Sequence, residues 1–327
     1  MPEKQTILSG MRPTGPLHLG HLAGALGNWK ALQDEYNCFY MVADWHALMS
    51  EYHNSKSIRE FSEVLMAEWV ACGIDPQRST LFVQSHVPQH AELHLILSCV
   101  TPIGWLERCP TYKEQLQQLA AKDVNTYAFL GYPTLQAADI LLYRANLVPV
   151  GEDQLPHLEV TREIARRFNG IVGEVFPEPQ GKVTKSARLL GLDRRKMSKS
   201  YGNAVGLADE PEEIRSKIMS MITDPQRARR SDPGRPDYCV AHSYYEAFLS
   251  DEAPAVAEKC RTAAVGCVDC KKRLAEGLCA VLQPIREKRN ELLNDRDKLG
   301  RLIEDGGKAA AKAAQSTMGA VHQALGF

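Results

Sequence analysis

Residues 5–26 of this 327-residue chain read QTILSGMRPTGPLHLGHLAGAL. The opening QTILSG is apolar and fits a strand, the Pro and Gly residues that follow predict a turn, and a helical pattern begins around His18-Leu19-Gly20-His21. A helix N-terminus offers unpaired N–H groups and a partial positive charge, and Gly20 lets a ligand approach the backbone. The segment therefore predicts a phosphate site to which His18 and His21 could add donors. The alternatives for these histidines are capping or surface residues, or a metal pair.

Short apolar runs recur along the first half of the chain. FYMVADW at 39–45, TLFVQSH at 80–86 and LVPVGEDQ at 147–154 each fit a buried strand. Amphipathic helical patterns lie between them, at 57–72 and 89–100. This alternation predicts a parallel sheet with crossover helices, that is, a doubly wound α/β domain that binds its ligand at the carboxyl ends of the strands.

The pattern changes after about residue 186. The segment ARLLGLDRRKMSKSYGN at 187–203 is polar, basic and Gly-containing, which indicates a mobile loop. From 209 onward only helical patterns occur. The chain is therefore expected to divide into an α/β domain over 1–186, a loop over 187–203 and an all-helical domain over 204–327.

Composition restricts the class of protein only broadly. The net charge is −1 and 44% of the residues are hydrophobic, which suits a sizeable core. No apolar run reaches the roughly 18–20 residues that span a bilayer, and the N-terminus lacks a secretory pattern, so a cytoplasmic protein with no membrane association is expected. Nucleic-acid binding needs only a local basic face, for which Arg227, Arg229 and Arg230 are candidates, a solvated surface being the alternative.

A second motif, Lys196-Met197-Ser198-Lys199-Ser200, lies in the expected loop. Taken alone it is a weak signal, because basic Ser-rich loops are common on protein surfaces. Together with the HLGH segment it becomes specific. Two lysines on a loop that closes over a triphosphate can stabilise the negative charge that builds on leaving pyrophosphate.

The two motifs together resemble the H-I-G-H and K-M-S-K-S signatures of class I aminoacyl-tRNA synthetases. Two further segments, Gly131-Tyr132-Pro133-x-x-Gln136-Ala137-Ala138-Asp139 and Pro149-Val150-Gly151-Glu152-Asp153-Gln154, are similar to pocket segments of bacterial tryptophanyl-tRNA synthetases, and Asp44-x-His46-Ala47 also fits. The resemblance covers nearly the whole chain. It implies a Rossmann-like catalytic domain over 1–186, a KMSKS loop over 187–203 and a helical anticodon-binding domain over 204–327.

The resemblance also implies a role for individual residues. Asp139 would accept a hydrogen bond from the indole N–H of tryptophan, whereas on the alternative reading it is a helix residue that faces solvent. The other residues implied to bind tryptophan are Leu8, Ser9, Ala43, His46, Tyr132, Gln136, Val148, Val150 and Gln154. Those implied to bind ATP are Arg12, Pro13, Thr14, Gly20, His21, Gly151, Glu152, Asp153, Leu189, Lys196, Met197, Ser198, Lys199 and Ser200. Those implied to act in catalysis are His18, His21, Lys196 and Lys199.

Two positions depart from the commoner pattern of that family. Arg12 stands where many members have Gln, and Gln136 stands where many have Met. An arginine at this place could pair with the substrate carboxylate or with the α-phosphate. Ground-state affinities are therefore expected to differ from those of the family.

Four of the nine cysteines form a late group, Cys239-x20-Cys260-x6-Cys267-x2-Cys270. Four-cysteine sets hold Zn²⁺ or an iron–sulfur cluster. The wide first gap and helical surroundings favour a cluster over a zinc ribbon, which usually has two C-x-x-C pairs. Unliganded thiols are the third alternative. The resemblance favours a [4Fe-4S] cluster, because some tryptophanyl-tRNA synthetases carry one on a similar quartet.

The implied activity is that of an ATP-dependent tryptophan–tRNA ligase. Tryptophan and ATP with Mg²⁺ would give tryptophanyl-adenylate and pyrophosphate, and tRNA(Trp) would then take the amino acid, in a homodimer. Three alternatives differ in class. A tyrosyl-tRNA synthetase shares the fold and both signatures, a related nucleotidyltransferase would not act on tRNA, and an RNA-binding paralogue would lack catalysis. The KMSKS loop and the large helical domain argue against the second, and the intact HLGH, KMSKS and Asp139 argue against the third.

Overall fold

The computed structural model describes residues 4–110, 112–113, 116, 119, 123–151, 155–183, 189–198 and 201–327. A parallel sheet lies at the centre of this part of the chain. Its strands are β1 (Thr6–Met11), β2 (Asn37–Val42), β3 (Ser79–Val83), β4 (Leu147–Val150) and β5 (Gln180–Val183), in the order β3-β2-β1-β4-β5. The expected doubly wound α/β fold is confirmed. The short, polar edge strand β5 was not predicted, because QGKV has no apolar run.

Helices connect the strands and cover the sheet. The helices of the first half are α1 (Leu19–His21), α2 (Gly27–Leu32), α3 (Asp44–Glu51), α4 (Lys56–Ala71), α5 (Gln89–Ser98), α6 (Ile103–Arg108), α7 (Tyr127–Leu130), α8 (Tyr132–Leu142) and α9 (Leu155–Val172). Those of the second half are α10 (Pro211–Ser220), α11 (Val240–Phe248), α12 (Ala253–Arg261), α13 (Cys267–Asn294) and α14 (Arg296–Leu325). No helix in the described ranges has the length and apolar character to cross a membrane.

The strand order reverses at β1, which pairs with β2 on one side and with β4 on the other. Ile7 is opposite Cys38 in one pair and opposite Leu147 in the other. The chain therefore leaves β1 toward one edge of the sheet and later returns to the opposite side of the same strand. Such a reversal opens a crevice at the carboxyl ends of the two central strands, where open α/β sheets bind their ligands.

The second half of the chain is helical, as expected, but its last two helices pack back onto the sheet domain. Helix α13 packs against α4, and α14 packs against β3 and α5. The inner face of α14, with Ala310, Ala314 and Met318, shares one hydrophobic core with Phe82 of β3 and Leu141 of α8. The final helix thus belongs to the packing of the α/β domain, and the division at 204 that the sequence suggests does not separate two cores.

Gly306 sets how closely α14 approaches the sheet. A Cβ atom at this position would lie 1.7 Å from the carbonyl oxygen of Leu81 in β3, so the helix axis is nearer to the strand than any side chain would permit. A backbone carbonyl of a strand paired into the sheet cannot move aside unless the strand moves with it, which makes this contact a steric requirement for glycine.

Gly306→Ala is therefore expected to push α14 off β3 and to lower the free energy of unfolding by about 1–3 kcal/mol, the usual cost of overpacking. The matched control is Gly319→Ala on the same helix, where an added Cβ meets no atom within 4 Å. That change should raise stability by roughly 0.5–1 kcal/mol through helix propensity. Urea unfolding of both variants measures the difference, and equal stabilities would contradict the close approach.

Candidate active site

A cavity of about 480 Å³ lies at the reversal point, near the carboxyl ends of β1 and β4. Its lining comprises Leu8, Ser9, Gly10, Arg12, Ala25, Trp29, Met41, Ala43, His46, Met49, Phe129, Tyr132, Gln136, Asp139, Ile140, Val148, Pro149, Val150, Gly151 and His157. Of the ten residues that the sequence assigns to tryptophan, nine are in this set. The tenth, Gln154, lies outside the described residues. The wall is mostly apolar with few polar groups, as in sites for small ligands.

The cavity contains a buried carboxylate, that of Asp139. It lies in α8 and is only 2% exposed, which excludes the alternative of a solvent-facing helix residue. Its Oδ1 accepts hydrogen bonds from Gln84 Nε2 and His90 Nδ1, both at 2.7 Å, and its Oδ2 accepts one from His46 Nε2 at 2.7 Å. A carboxylate has about four acceptor positions, so these three donors leave one on Oδ2.

The same network fixes the charge of Asp139. Burial by itself raises the pKa of this carboxyl, but the hydrogen bonds from His46 and His90 outweigh it, and the pKa lies below its ordinary value. His90 Nε2 contacts the Tyr143 hydroxyl at 2.8 Å, and burial followed by the Asp139 charge raises the pKa of Tyr143 well above its ordinary value. Tyr143 is therefore a protonated donor, and Asp139 is an ionised acceptor at neutral pH.

Three members of this network, Gln84, His90 and Tyr143, were not predicted from the sequence. Gln84 directly follows β3, at the edge of the sheet where ligands bind, and this position was the one signal available. His90 lies on α5, at a position that also fits an ordinary core residue, and the packing of α5 against α8 brings it to the carboxylate. Tyr143 caps the end of α8, four residues after Asp139, and joins the network through His90.

Two more polar groups, Tyr132 and His157, line the cavity. The Tyr132 hydroxyl contacts His157 Nε2 at 2.6 Å, and both rings are buried. Arg12 and Gly151 form part of the same wall, at the ends of β1 and β4. Pro13 is buried and Thr14 is exposed in the turn after β1. Of the residues assigned to ATP, Glu152 and Asp153 lie outside the described residues.

The HLGH segment forms a capped turn at the start of α1. His18 is the N-cap, and its Nδ1 accepts from Gly20 N at 3.1 Å, while His21 Nδ1 accepts from His18 N at 3.2 Å. The expected capping role of these histidines is thus present. When neutral, a ring that accepts at Nδ1 carries its proton on Nε2, so each imidazole is an Nε2–H donor. The helix continues through one π-helical turn, Leu22–Leu26, before α2.

Asn203 organises the described part of the KMSKS segment. It is 3% exposed, and its Oδ1 accepts from Ser198 N at 2.9 Å while its Nδ2 donates to Asp193 Oδ1 at 2.7 Å and to the Lys196 carbonyl at 3.2 Å. Met197 is buried in the core, whereas Lys196 is exposed. The described residues of this segment therefore form a turn held by hydrogen bonds from Asn203. Lys199 and Ser200 lie outside the described residues.

The two signature motifs contact each other although about 180 positions separate them. Leu19 N donates to Val205 O at 2.9 Å, and Leu207 N donates to Leu17 O at 3.0 Å, so the segment that follows KMSKS pairs with the HLGH turn. A Cβ atom on Gly20 would lie 3.2 Å from Met197 Sδ. Leu189, assigned to ATP, is buried in the same core as Met197.

The four late cysteines lie around one place in the helical region. Cys239 precedes α11, Cys260 lies in α12, and Cys267 and Cys270 lie in the first turn of α13. Burial raises the pKa of Cys270 to about 11, and the negative charges of the other three thiols add to the increase. These thiols are therefore near enough to interact electrostatically. Within the described ranges, however, no three His, Cys, Asp or Glu side chains converge on a single metal-ion position.

Arg227 points at this cysteine group. Its Nη1 lies 3.8 Å from both Cys260 Sγ and Cys267 Sγ, and its buried Nε has no hydrogen-bond partner. Its guanidinium is thus turned inward rather than toward a nucleic-acid phosphate. Of the basic group that the sequence suggested, Arg229 and Arg230 remain exposed.

Known proteins share this sequence and fold over nearly the whole chain. The profile of the family described as tRNA synthetases class I (W and Y) matches residues 2–283. A tryptophan–tRNA ligase of Thermotoga maritima is 50% identical over 322 residues, 98% of each chain. A crystal structure of tryptophanyl-tRNA synthetase from Campylobacter jejuni, complexed with ADP and tryptophan, has a TM-score of 0.91 at 32% identity and covers 98% of this chain and 100% of its own.

A tyrosyl-tRNA synthetase from Archaeoglobus fulgidus, complexed with tyrosine, matches less closely. Its TM-score is 0.69 at 21% identity, over 88% of this chain and 90% of its own, which is a likeness of fold alone. The family profile covers most of the chain, and the Thermotoga relative matches from end to end. The chain therefore belongs to the class I tRNA synthetases of the tryptophan and tyrosine family.

Proposed function

We propose that this protein is a tryptophan–tRNA ligase, which activates tryptophan with ATP and transfers it to tRNA(Trp). The observation that carries the proposal is the buried, ionised Asp139 with one open acceptor position in a cavity whose other walls hold apolar side chains such as Leu8, Val148 and Val150. An indole N–H meets this acceptor and the apolar wall holds the ring. The tyrosine alternative is disfavoured because the relative at 50% identity is a tryptophan–tRNA ligase, whereas the tyrosyl enzyme shares only the fold.

The reaction proceeds in two steps at one site. The carboxylate of tryptophan attacks the α-phosphorus of ATP, the bond to the leaving pyrophosphate breaks, and an acyl-adenylate remains. A terminal ribose hydroxyl of tRNA then attacks the acyl carbonyl and AMP leaves. Mg²⁺ on the triphosphate supplies charge neutralisation. The protein provides no nucleophile in this scheme, so its part is orientation and electrostatic stabilisation.

The phosphates are assigned to the junction of the two signature motifs. The backbone at Gly20 lies beside Met197 of the KMSKS segment, and the Nε2–H donors of His18 and His21 belong to the same turn as Gly20. Lys196 and Lys199 carry the charge that stabilises leaving pyrophosphate. Arg12, on the cavity wall, is assigned to the substrate carboxylate or the α-phosphate.

The cysteine group is proposed to hold a [4Fe-4S] cluster, with Zn²⁺ as the alternative. The donor set fits, since four thiols from three helices interact with one another and Arg227 supplies positive charge beside two of them. A cubane cluster separates its four ligands more widely than one zinc ion does, which agrees with sulfurs that do not converge on one point. When bound, the group cross-links α11, α12 and α13.

The protein is proposed to act as a homodimer and to bind the tRNA anticodon with its helical region. The dimer proposal is supported by an apolar concavity of about 420 Å³ with Trp45, Leu48, Met49, Tyr52 and Leu135 in its wall. Next to it Tyr127 is 80% exposed, an unusual position for a large aromatic ring on a monomer surface. A second copy of the chain is the occupant we assign to this face.

Asp139→Asn is expected to lower kcat/KM for tryptophan by an amount equivalent to about 2–4 kcal/mol of transition-state free energy, because a charge-assisted hydrogen bond is lost. The control is a tryptophan analogue in which sulfur replaces the indole N–H. Pyrophosphate exchange with that analogue should be much less affected by the substitution. Equal losses with both amino acids would show that Asp139 is structural and would remove the basis of the tryptophan assignment.

Lys196→Ala and Lys199→Ala should each slow adenylate formation by on the order of 10²-fold and change tryptophan affinity little, because they remove charge that acts in the transition state. Single-turnover adenylate formation measures the rate, and equilibrium dialysis measures the affinity. Lys312→Ala, which removes the same charge from an exposed position of α14, is the control and should match the parent protein. A normal rate in both loop variants would contradict their assigned role.

Protein purified without oxygen is expected to be brown and to contain about four iron and four sulfide per chain. Cys267→Ser should remove the colour and lower the melting temperature of the helical region. Cys279→Ser, on the same helix but outside the quartet, should keep both. Colourless protein with one bound zinc would show that the site holds Zn²⁺ and not a cluster. Metal-free protein of unchanged stability would exclude both.

A further inference from the structure

Glu68 is a buried carboxylate that takes no part in the cavity described above. It lies on α4, has no exposed surface, and accepts two hydrogen bonds through different oxygens. Oε2 accepts from the backbone N–H of Leu17 at 2.8 Å, and Oε1 accepts from Arg289 Nε of α13 at 3.1 Å. A carboxylate in the core is tolerated only with such partners, so its position is set by both contacts.

The contact with Leu17 reaches the phosphate turn directly. Leu17 is the residue before His18, and its side chain is buried. A buried backbone N–H needs an acceptor, and for Leu17 that acceptor comes from a side chain 51 positions away. The position of Glu68 on α4 therefore fixes the backbone at Leu17, immediately before the His18–His21 cap.

Helix α13 holds the other side of the same turn. Arg286, one helical turn before Arg289, donates to the carbonyl of Asp209 at 3.1 Å. Asp209 in turn accepts from Gly206 N at 2.7 Å, in the segment that pairs with the HLGH turn. Two arginines on one face of α13 thus anchor the two chain segments between which the His18 cap is formed.

We infer that Glu68, held by Arg289, is a positioning residue for the ATP step, because it fixes the Leu17 N–H and with it the orientation of the His18 and His21 donors. The inference rests on the proposed function, in which these histidines meet the phosphates. Arg289 connects this support to α13, the helix that carries Cys267 and Cys270. The nucleotide site and the helical region therefore share one buried ion pair.

The competing explanation is that Glu68 serves only as a clamp that holds α4 against α13. A matched pair distinguishes the two. Glu63 lies on the same helix and pairs with Arg296 of α14, but it has no hydrogen bond to the HLGH segment. A clamp role predicts similar behaviour for Glu63 and Glu68 variants, whereas a positioning role predicts a catalytic effect at Glu68 alone.

The experiment compares Glu68→Gln, Arg289→Gln and Glu63→Gln. A glutamine has one acceptor oxygen, so at position 68 it can satisfy Leu17 N–H or Arg289 Nε but not both. Glu68→Gln should lower kcat of tryptophan-dependent pyrophosphate exchange by about 10- to 100-fold, as expected for misplacement of phosphate donors, with KM for tryptophan unchanged. Arg289→Gln should give a smaller loss of the same kind, and Glu63→Gln none.

Hydrogen exchange provides a readout that does not depend on activity. The peptide covering 12–22 should exchange faster in Glu68→Gln and at the parent rate in Glu63→Gln. The positioning role would be overturned if both the hydrogen exchange of this peptide and kcat were unchanged in Glu68→Gln. It would also be overturned by a parallel loss of tryptophan binding in all three variants. If Glu68→Gln does not fold, a normal kcat in folded Arg289→Gln overturns it. If the parent protein shows no tryptophan-dependent pyrophosphate exchange, the proposed function is refuted. Hydrogen exchange of the peptide 12–22 would still test whether Glu68 supports Leu17.

Discussion

The hydrogen bonding of β1 on both of its edges is the constraint from which the site follows. Because β2 pairs with one edge and β4 with the other, the connections leave β1 in opposite directions and the crevice at its carboxyl end stays open. The turn after β1 carries the HLGH cap, and the end of β4 carries Val150 and Gly151. The topology therefore places the proposed amino-acid pocket and the proposed phosphate turn at the same strand end before any side chain is considered.

Within that crevice the buried charge of Asp139 is the proposed source of selectivity. A carboxylate would be expensive to bury alone; hydrogen bonds from His46 and His90 keep its pKa below the ordinary value, and Gln84 donates to the same group. The same three donors use all but one of its acceptor positions. The network thus both stabilises the carboxylate and restricts what a ligand can offer to it, since a ring without a donor would leave the last position unpaired.

The helical half of the chain shares one hydrophobic core with the surroundings of this site and is also joined to it by polar contacts. Glu68 and Arg289 connect α13 with the residue before His18, and Asn203 fixes the turn between Asp193 and Ser198. Nearby, the Tyr244 hydroxyl donates to the Leu190 carbonyl at 2.9 Å, which ties α11 to the base of the KMSKS segment.

The sequence alone determined the alternation of strands and helices, the two signature motifs and most of the cavity wall, because these features are local in the chain or belong to motifs that resemble a family. Leu8, Ala43 and Val150 could be assigned in this way, and they line one cavity. Only the tertiary structure decided that Gln84, His90 and Tyr143 surround Asp139 and that Glu68 supports Leu17. It also decided that α14 packs on the sheet through Gly306. Most of these contacts join residues from different elements, Tyr143 of the same helix as Asp139 being reached through His90, and the buried polar members occur at positions that are equally compatible with an ordinary surface or core residue. Their roles exist only once packing has removed the water that would otherwise satisfy them.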